Sequence, residues 1–190
     1  METLIAWDEN AFRHINQGIV NAFFDFLMPW LSDKFIWIPL YAFFIYLIIK
    51  KFGEQSVRLI VIAIVTIVIS DRTSSGLIKP AVERYRPCQV AEMNTRLPAG
   101  IGCNSKYGFV SSHASNCFAI AMLLSLTGVI KSRNGLILLW LWVFLVSFSR
   151  VYNGVHYPGD ILGGWVVGGS VAAFSAWMFN RKKWLKTRVK

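Results

Sequence analysis

The sequence predicts an all-α membrane protein: a polytopic helical bundle with five spans, a candidate sixth span and an N-terminal interfacial helix. Of the 190 residues, 55% are hydrophobic and 16% are charged. With a mean hydropathy of +0.47, the chain is too apolar for a soluble domain. The apolar residues form long runs, and basic residues flank these runs as they do at the two edges of a membrane.

Five apolar runs are the predicted spans: residues 35–49, 57–70, 114–130, 135–149 and 161–179. A helix that crosses the hydrocarbon core needs ~20 residues, and three of the runs are shorter. We expect these three to gain length by snorkelling of flanking Lys and Arg, or by continuing into polar positions that neighbouring helices bury. Glycines at four-residue spacing in the last run indicate close helix packing.

Charged residues end the second run at Asp71 and Arg72. Ionisable side chains at that depth usually face the interior of a bundle. We therefore expect these two residues to pair with each other or with a functional site. The polar loop predicted after this run covers residues 80–112.

The N-terminal part, residues 1–34, is predicted to form interfacial helices, and residues 35–190 are predicted to form the membrane-embedded core. Residues 3–16 carry an apolar stripe at helical spacing. Residues 19–31 are apolar but short and contain Pro29, so they form a second interfacial helix or a poor span, and the former is favoured. Acidic residues near the start predict that there is no cleavable signal peptide.

Twenty Lys and Arg against ten Asp and Glu give a net charge of +10. Their positions at the ends of apolar runs argue against a nucleic-acid partner. One membrane face receives Lys50, Lys51, Arg58, Lys131, Arg133 and the tail residues Arg181, Lys182, Lys183, Lys186, Arg188 and Lys190. Positive-inside logic predicts that this face is cytoplasmic in an inner (plasma) membrane, although Arg84, Arg96 and Lys106 put some positive charge on the other face.

The three cysteines form no metal-type cluster. Cys88 and Cys103 lie in the long polar loop, whereas Cys117 lies in an apolar run. If the loop faces an oxidising compartment, Cys88 and Cys103 can form a disulfide. The alternative of two free thiols stays open, because spacing does not determine pairing.

Three polar segments are expected to meet on the outer face if each apolar run crosses the membrane once. They carry Lys79 and Arg86; Ser111, Ser112 and His113; and Arg150, His156 and Asp160. Taken singly, they can be read as a snorkelling basic cluster, a helix cap and a polar loop. Together, three cations, a helix N-terminus and two histidines suit phosphoryl transfer, which depends on positioning and charge stabilisation.

The residue types suggest individual roles. A neutral histidine held by a carboxylate is a ready nucleophile, and Arg and Lys bind phosphate oxygens. The serines can cap the third span, whose N-terminal N–H groups favour an anion. His113 is placed as a proton donor. No acidic cluster is available for Mg²⁺, so we expect a covalent route without metal or other cofactor.

In this order, the motifs K-x6-R-P, S-x-H and S-R-x5-H-x3-D resemble the signature of the type 2 phosphatidic acid phosphatase superfamily. The resemblance implies that His156 attacks phosphorus and forms a phosphohistidine, that Asp160 orients His156, and that His113 protonates the leaving group. It implies that the phosphate oxygens are bound by Lys79, Arg86, Ser111, Arg150 and backbone N–H groups near Ser112.

The sequence departs from the family pattern in one motif, where the usual P-S-G-H reads Val110-Ser111-Ser112-His113. We expect the loss of proline to matter little. The side chain of Ser112, where the family has glycine, leaves less room for the backbone to approach a phosphate, but the change removes no catalytic group.

The predicted function is an integral membrane lipid phosphatase that acts on undecaprenyl diphosphate, phosphatidylglycerophosphate, phosphatidate or lipid A phosphate. One alternative is a lipid phosphotransferase that uses the same site. A haloperoxidase holds vanadate with similar residues, but those enzymes are soluble. A non-catalytic lipid binder or transporter would be expected to lack one histidine or the aspartate. The predicted partners are the lipid phosphate and membrane lipids, and no oligomeric state is predicted.

Overall fold

The computed structural model describes the backbone of residues 2–188 and the side chains of residues 2–181. Within this range the regular structure is helical, apart from an isolated β-bridge between Tyr85 and Tyr107. The helices are α1 (Glu2–Arg13), α2 (Ala22–Ser32), α3 (Ile38–Phe52), α4 (Ser56–Asp71), α5 (Lys79–Val82), α6 (Ser112–Leu126), α7 (Arg133–Tyr152) and α8 (Pro158–Arg188). The prediction of an all-α bundle is confirmed. The side chains of the basic tail beyond Arg181 lie outside the described residues.

Three helical stretches are long and apolar enough to cross a membrane: Lys34–Val82, Arg133–Tyr152 and Pro158–Arg181. The first is interrupted at Gly53, where φ is +50°, and it contributes both α3 and α4, which pack against each other. With 15 residues, α6 is apolar but only ~22 Å long, against ~30 Å for the hydrocarbon core. Each of the five predicted runs thus forms a helix, although the run 114–130 is helical only to Leu126, and the number of complete spans stays a prediction.

The helix that begins at Ser56 does not end where its apolar run ends. A π-helical turn over Arg72–Ile78 and then α5 continue it to Val82, and Glu83 ends it with a left-handed φ of +53°. The predicted loop is thus shorter than residues 80–112. Helix α6 provides hydrogen-bond partners for polar side chains along this stretch, which explains why the helix continues past the apolar run.

The central helix is α6, which packs against α4, α7 and α8. Nine of its 15 residues are buried, as expected for a helix that is covered on several sides. At Gly164 of α8, an added Cβ would lie 2.6 Å from the backbone oxygen of Ser111, and at Gly168 it would overlap that of Ser115. The predicted packing role of these glycines is confirmed. Their close contact places the start of α6 beside the start of α8.

The outer surface of the bundle is strongly apolar. Large side chains on α3, α4, α7 and α8 are more than half exposed, among them Phe43, Ile64, Leu138 and Val166. Such a surface suits contact with lipid tails rather than with water. The chain is therefore a membrane protein, as predicted.

The N-terminal helices pack at the end of the bundle where α7 ends and α8 begins. The amide of buried Asn16 donates to the backbone oxygens of Arg96 and Tyr152, both at 2.8 Å. Asp25 of α2 accepts from the Tyr152 hydroxyl at 2.6 Å and pairs with Arg96 at 2.7 Å. With 11 residues, α2 is ~16 Å long and too short to span a membrane by itself. The interfacial placement of these helices and the division at residue 34 stay predictions.

Candidate active site

A cavity of about 480 Å³ lies between α2, α3, α4, α6 and α7. Six of the eight predicted site residues line it: Lys79, Arg86, Ser112, His113, Arg150 and His156. The other two, Ser111 and Asp160, are fully buried next to this wall, and the N–H of Ser111 donates to the backbone oxygen of Asp160 at 2.9 Å. The fold thus brings all eight together from three separate segments.

His156 lies in the short connection between α7 and α8, four residues before Asp160. Its Nδ1 is 3.2 Å from Oδ2 of Asp160, and both side chains are buried. Burial lowers the pKa of His156 well below its ordinary value, and the positive charges of Arg150, Arg86 and Lys79 lower it further. The imidazole is therefore neutral at neutral pH. With Nδ1–H donated to the carboxylate, Nε2 carries the free lone pair.

The Asp160 carboxylate is held in place by other groups besides His156. Its Oδ2 accepts the N–H of Tyr157 at 3.0 Å, and its Oδ1 accepts from Arg84 at 3.1 Å. An added Cβ at Gly108 would lie 2.7 Å from Oδ2, so the glycine lets the loop backbone approach the carboxylate. Nothing in the local sequence around Gly108 points to this approach, so its role emerges only from the fold.

The sequence indicates Arg84 only as a loop charge, but the fold makes it a neighbour of the site. Its guanidinium bridges Asp160 at 3.1 Å and Asp8 of α1 at 2.7 Å, and it lies 4.0 Å from the ring centroid of Tyr157. Asp8 also accepts the N–H of Gly159 at 2.6 Å, at the start of α8. In the sequence, the one feature that points to Arg84 as a site neighbour is its position between Lys79 and Arg86 in the first motif. Asp8 carried no signal.

The three predicted phosphate-binding cations differ in how they are held. Arg86 donates through Nε to the backbone oxygen of Tyr107 at 3.2 Å. Arg150 donates to the hydroxyl of Ser32, and its buried Nε has no partner among the described residues. The side chain of Lys79 forms no ion pair within the described part of the chain. These groups retain hydrogen-bond donors that an anion can use.

The serines at the start of α6 do not cap it as expected. Ser111 is the N-cap residue, with extended backbone, but its side chain forms no cap hydrogen bond. Its buried Oγ has no partner among the described residues, whereas Oγ of Ser112 is 2.7 Å from Oγ of Ser75. No serine side chain at the N-cap therefore competes with an anion for the N-terminal N–H groups of the helix.

His113 lies in the first turn of α6 and lines the same cavity as His156. Its imidazole has no hydrogen-bond partner among the described side chains and backbone groups. The ring is thus free to exchange a proton with a ligand in the cavity.

Asp71 lines the cavity as well, on the wall that α4 provides. The first alternative from the sequence, pairing with Arg72, is wrong: Asp71 instead accepts from Nδ2 of Asn116 at 3.2 Å. The second alternative, a place in the functional site, agrees with its position. The rest of the lining is mixed. Its larger apolar and aromatic residues are Leu31, Trp37, Tyr41, Trp142 and Val146, and its polar residues are Ser32, Lys34, Ser75, Ser105 and Asn116.

The loop above the site is closed by a disulfide between Cys88 and Cys103, with a Cα–Cα distance of 6.1 Å. Of the two alternatives that the sequence left open, a disulfide and two free thiols, the structure thus shows the disulfide. Cys117 is a buried free thiol. A second cavity, of about 570 Å³, extends beneath this loop and shares Arg86 and Arg150 with the first. The described residues contain no group of three or more His, Cys, Asp or Glu that could hold a metal ion.

Comparison with known proteins gives consistent matches. The family profile of the PAP2 superfamily matches residues 55–184. The chain is 34% identical over 171 residues to the lipid A 4'-phosphatase of Bacteroides thetaiotaomicron, covering 85% of this chain and 71% of that protein. It is 28% identical over 185 residues to the undecaprenyl-diphosphatase of Sulfolobus acidocaldarius, covering 92% and 79%.

The fold also matches a solved structure, that of a transmembrane PAP2 type phosphatidylglycerolphosphate phosphatase from Bacillus subtilis. The TM-score is 0.69 at 20% sequence identity, over 96% of this chain and 88% of that chain. At this identity the likeness is one of fold.

Proposed function

This chain belongs to the PAP2 superfamily and is an integral membrane lipid phosphatase; we propose that it hydrolyses a phosphorylated glycolipid of the lipid A type through a phosphohistidine at His156. The observation that carries the mechanism is the buried pair of His156 and Asp160 at a cavity lined by Lys79, Arg86 and Arg150. The substrate class rests on the 34% identical relative that is a lipid A 4'-phosphatase.

In the first step, the phosphate oxygens are bound by Lys79, Arg86 and Arg150, with the hydroxyl of Ser111 and the N–H groups near Ser112. Nε2 of His156 attacks phosphorus in line, and the bond from phosphorus to the lipid oxygen breaks. The charge of the bound phosphate offsets the neighbouring cations, so His113 is protonated in the complex and gives its proton to that oxygen. The lipid then leaves as a neutral alcohol. The cations stabilise the charge that spreads over the equatorial oxygens.

In the second step, His113 is neutral and accepts a proton from water. This water attacks phosphorus, the bond between phosphorus and Nε2 breaks, and inorganic phosphate leaves. Asp160 accepts the hydrogen bond from Nδ1–H in both steps and stabilises the positive imidazole ring of the intermediate. The proton returns to His113 and the histidine nucleophile is restored.

A phosphate-release assay with full-length protein in detergent and EDTA tests this function. We expect the highest kcat/KM for lipid A 4'-phosphate among a panel with undecaprenyl diphosphate, phosphatidylglycerophosphate and phosphatidate. Release should continue in EDTA, because fixed cations already supply the positive charge, and it should fall with vanadate. Loss of activity in EDTA that Mg²⁺ restores would contradict the mechanism. Transfer of phosphate to a lipid alcohol without release would indicate a phosphotransferase, and binding without turnover would indicate a lipid binder.

We also propose that the protein lies in the inner (plasma) membrane with its site facing the periplasm or exterior. The disulfide in the loop beside the site supports this orientation, since disulfides persist in oxidising compartments. Two of the loop cations on the site face, Arg84 and Arg96, are neutralised by ion pairs. Basic residues close to the helix ends on the opposite face support a cytoplasmic side there: Lys50, Lys51, Arg58, Lys131 and Arg133.

Orientation can be measured by labelling single introduced cysteines with a membrane-impermeant maleimide in intact cells. We expect Glu92→Cys, in the loop beside the site, to be labelled, since its side chain is exposed. The exposed matched position on the opposite face, Lys131→Cys, should be labelled only after permeabilisation. The native free thiol, Cys117, is buried and should give little background. The reverse pattern would place the site in the cytoplasm.

A further inference from the structure

The wall of the active-site cavity carries a carboxylate that the phosphatase mechanism does not use. Asp71 is the last residue of α4 and lines the cavity together with His113 and His156. It precedes Lys79 by eight residues on one continuous helical stretch. It therefore lies about 10 Å from Lys79 along the helix, towards the middle of the bundle. An ionisable side chain at such a depth is costly, and it is usually retained for a functional reason.

Asp71 has few partners for its charge: one hydrogen bond and an electrostatic attraction to Lys79 that is not an ion pair. It accepts one hydrogen bond, from Nδ2 of Asn116 at 3.2 Å, and it forms no ion pair within the described residues. Asn116 lies one turn after His113, and its own Oδ1 is buried without a partner. An uncharged acceptor would satisfy the Asn116 amide equally well. This partly buried pair thus presents acceptor oxygens, and the buried Oδ1 of Asn116 lacks a donor, which a ligand or water can supply.

The position of Asp71 relative to the phosphate-binding residues indicates which part of a lipid it would meet. The cavity continues from Arg150 to Val146 and Trp142, one and two turns earlier on α7. A lipid that follows it, with its phosphate at Lys79 and His156, has its next groups at the level of Asp71. In a polyprenyl diphosphate the first of these groups is the second phosphate, an anionic acceptor, and hydrocarbon follows it. In a diacylglycerol phosphate they are ester oxygens, which are acceptors. Neither can donate to a carboxylate, and each would leave Asp71 desolvated and unpaired.

We propose that Asp71, oriented by Asn116, is a specificity-determining subsite for an N–H or O–H donor on the tail side of the phosphate. The substrate class is then a phosphorylated lipid with an amide or hydroxyl next to the phosphate-bearing carbon skeleton. An N-acylated amino sugar and an N-acylated long-chain amino alcohol have this chemistry through an amide, and phosphatidylglycerophosphate has it through the free hydroxyl of its terminal glycerol. This inference rests on the proposed function, because it takes the phosphate to be bound at His156.

The test compares wild type, Asp71→Leu and Asp71→Asn as full-length proteins in detergent. The substrates are lipid A 4'-phosphate, ceramide 1-phosphate, phosphatidate, undecaprenyl diphosphate and the tail-free p-nitrophenyl phosphate. For Asp71→Leu we expect kcat/KM to fall roughly 10- to 100-fold for the two amide-bearing lipids, mainly through KM, because a hydrogen bond to a charged group is lost. For phosphatidate and undecaprenyl diphosphate kcat/KM should stay the same or rise, because leucine removes a carboxylate that these lipids leave unpaired. The rate with p-nitrophenyl phosphate should change by no more than about twofold. Asp71→Asn, which keeps an acceptor, should lose less.

Arg72→Leu is the matched control, since it removes a neighbouring charge whose side chain is exposed and does not line the cavity. It should leave all five rates close to those of wild type. An equal fall for every substrate in Asp71→Leu would assign Asp71 to holding α4 against α6 and overturn the subsite. No change for any substrate would overturn it as well.

The wild-type rates separate this inference from the proposed function. Absence of phosphate release from all five substrates by wild type would refute the phosphatase mechanism before Asp71 is tested. If wild type prefers undecaprenyl diphosphate, the proposed substrate is wrong, and the subsite stands only if Asp71→Leu still lowers the amide-lipid rates selectively. A fall confined to lipid A 4'-phosphate would assign the donor to the sugar, and a fall for both amide lipids would assign it to the amide.

Discussion

Replacing His156 with alanine is expected to lower phosphate release on the order of 10⁴-fold or more, as removal of a covalent nucleophile does in other enzymes. His156 is the histidine that pairs with a buried carboxylate, and burial together with three neighbouring cations keeps its ring neutral. No other described side chain holds an equivalent lone pair beside Asp160. The variant should therefore bind substrate without forming the intermediate.

Two measurements check this expectation. Release of inorganic phosphate from the lipid substrate gives the rate, and trapping with radioactive phosphate should yield an acid-labile, base-stable adduct on wild type alone. His156→Asn serves as a second variant, because its amide can still donate to Asp160. His14→Ala is the control, since His14 is exposed on the N-terminal segment and should leave turnover unchanged. Turnover by His156→Ala close to that of wild type would remove this residue from the chemistry.

Replacing His113 with asparagine is expected to lower turnover of lipid phosphates by about 10²- to 10⁴-fold, the usual contribution of a general acid and base. The loss should depend on the leaving group. A lipid alcohol is a poor leaving group and needs the proton from His113, whereas p-nitrophenolate can leave without one. With p-nitrophenyl phosphate the variant should release one equivalent of nitrophenol in a rapid burst. The phosphohistidine should then accumulate, because no base remains to accept the proton of the attacking water.

Stopped-flow absorbance follows the burst, and acid–base lability of the trapped phosphate identifies the adduct. Ser112→Gly, which restores the usual family residue next to His113, is a useful comparison: it should keep the leaving-group dependence of wild type. An equal loss by His113→Asn for lipid and aryl phosphates, without a burst, would show that His113 does not act on the leaving group.

The part of the site that could be predicted from sequence is the part whose chemistry needs particular residues close together in the chain. His156 and Asp160 are four residues apart, so a short segment that crosses from one helix to the next already places them side by side. Lys79 and Arg86 are seven residues apart, and Ser111 to His113 open a helix. Counting apolar runs was then enough to predict that all three segments meet on one face.

Contacts between distant segments could not be predicted in this way. Arg84 meets Asp160 across 76 residues, and Asp71 meets Asn116 across 45. Asp8 reaches Gly159 across 151 residues. Each of these residues is common at a membrane edge or helix end, so its type alone carries little information. Only packing of the helices decides which of the many available partners lies within hydrogen-bond distance.

By itself, the sequence determined an apolar helical bundle and the three motifs that identify the chemistry, since hydropathy and local spacing are properties of short segments. The tertiary structure alone decided that the helix from Ser56 continues to Val82, that Cys88 pairs with Cys103, and that Gly108 approaches the catalytic carboxylate. It also decided that Asp8 of α1 pairs with Arg84, the arginine that contacts the carboxylate of Asp160. The physical reason is the same in each case: a polar group is stable inside the bundle only where the fold brings a second segment to satisfy it.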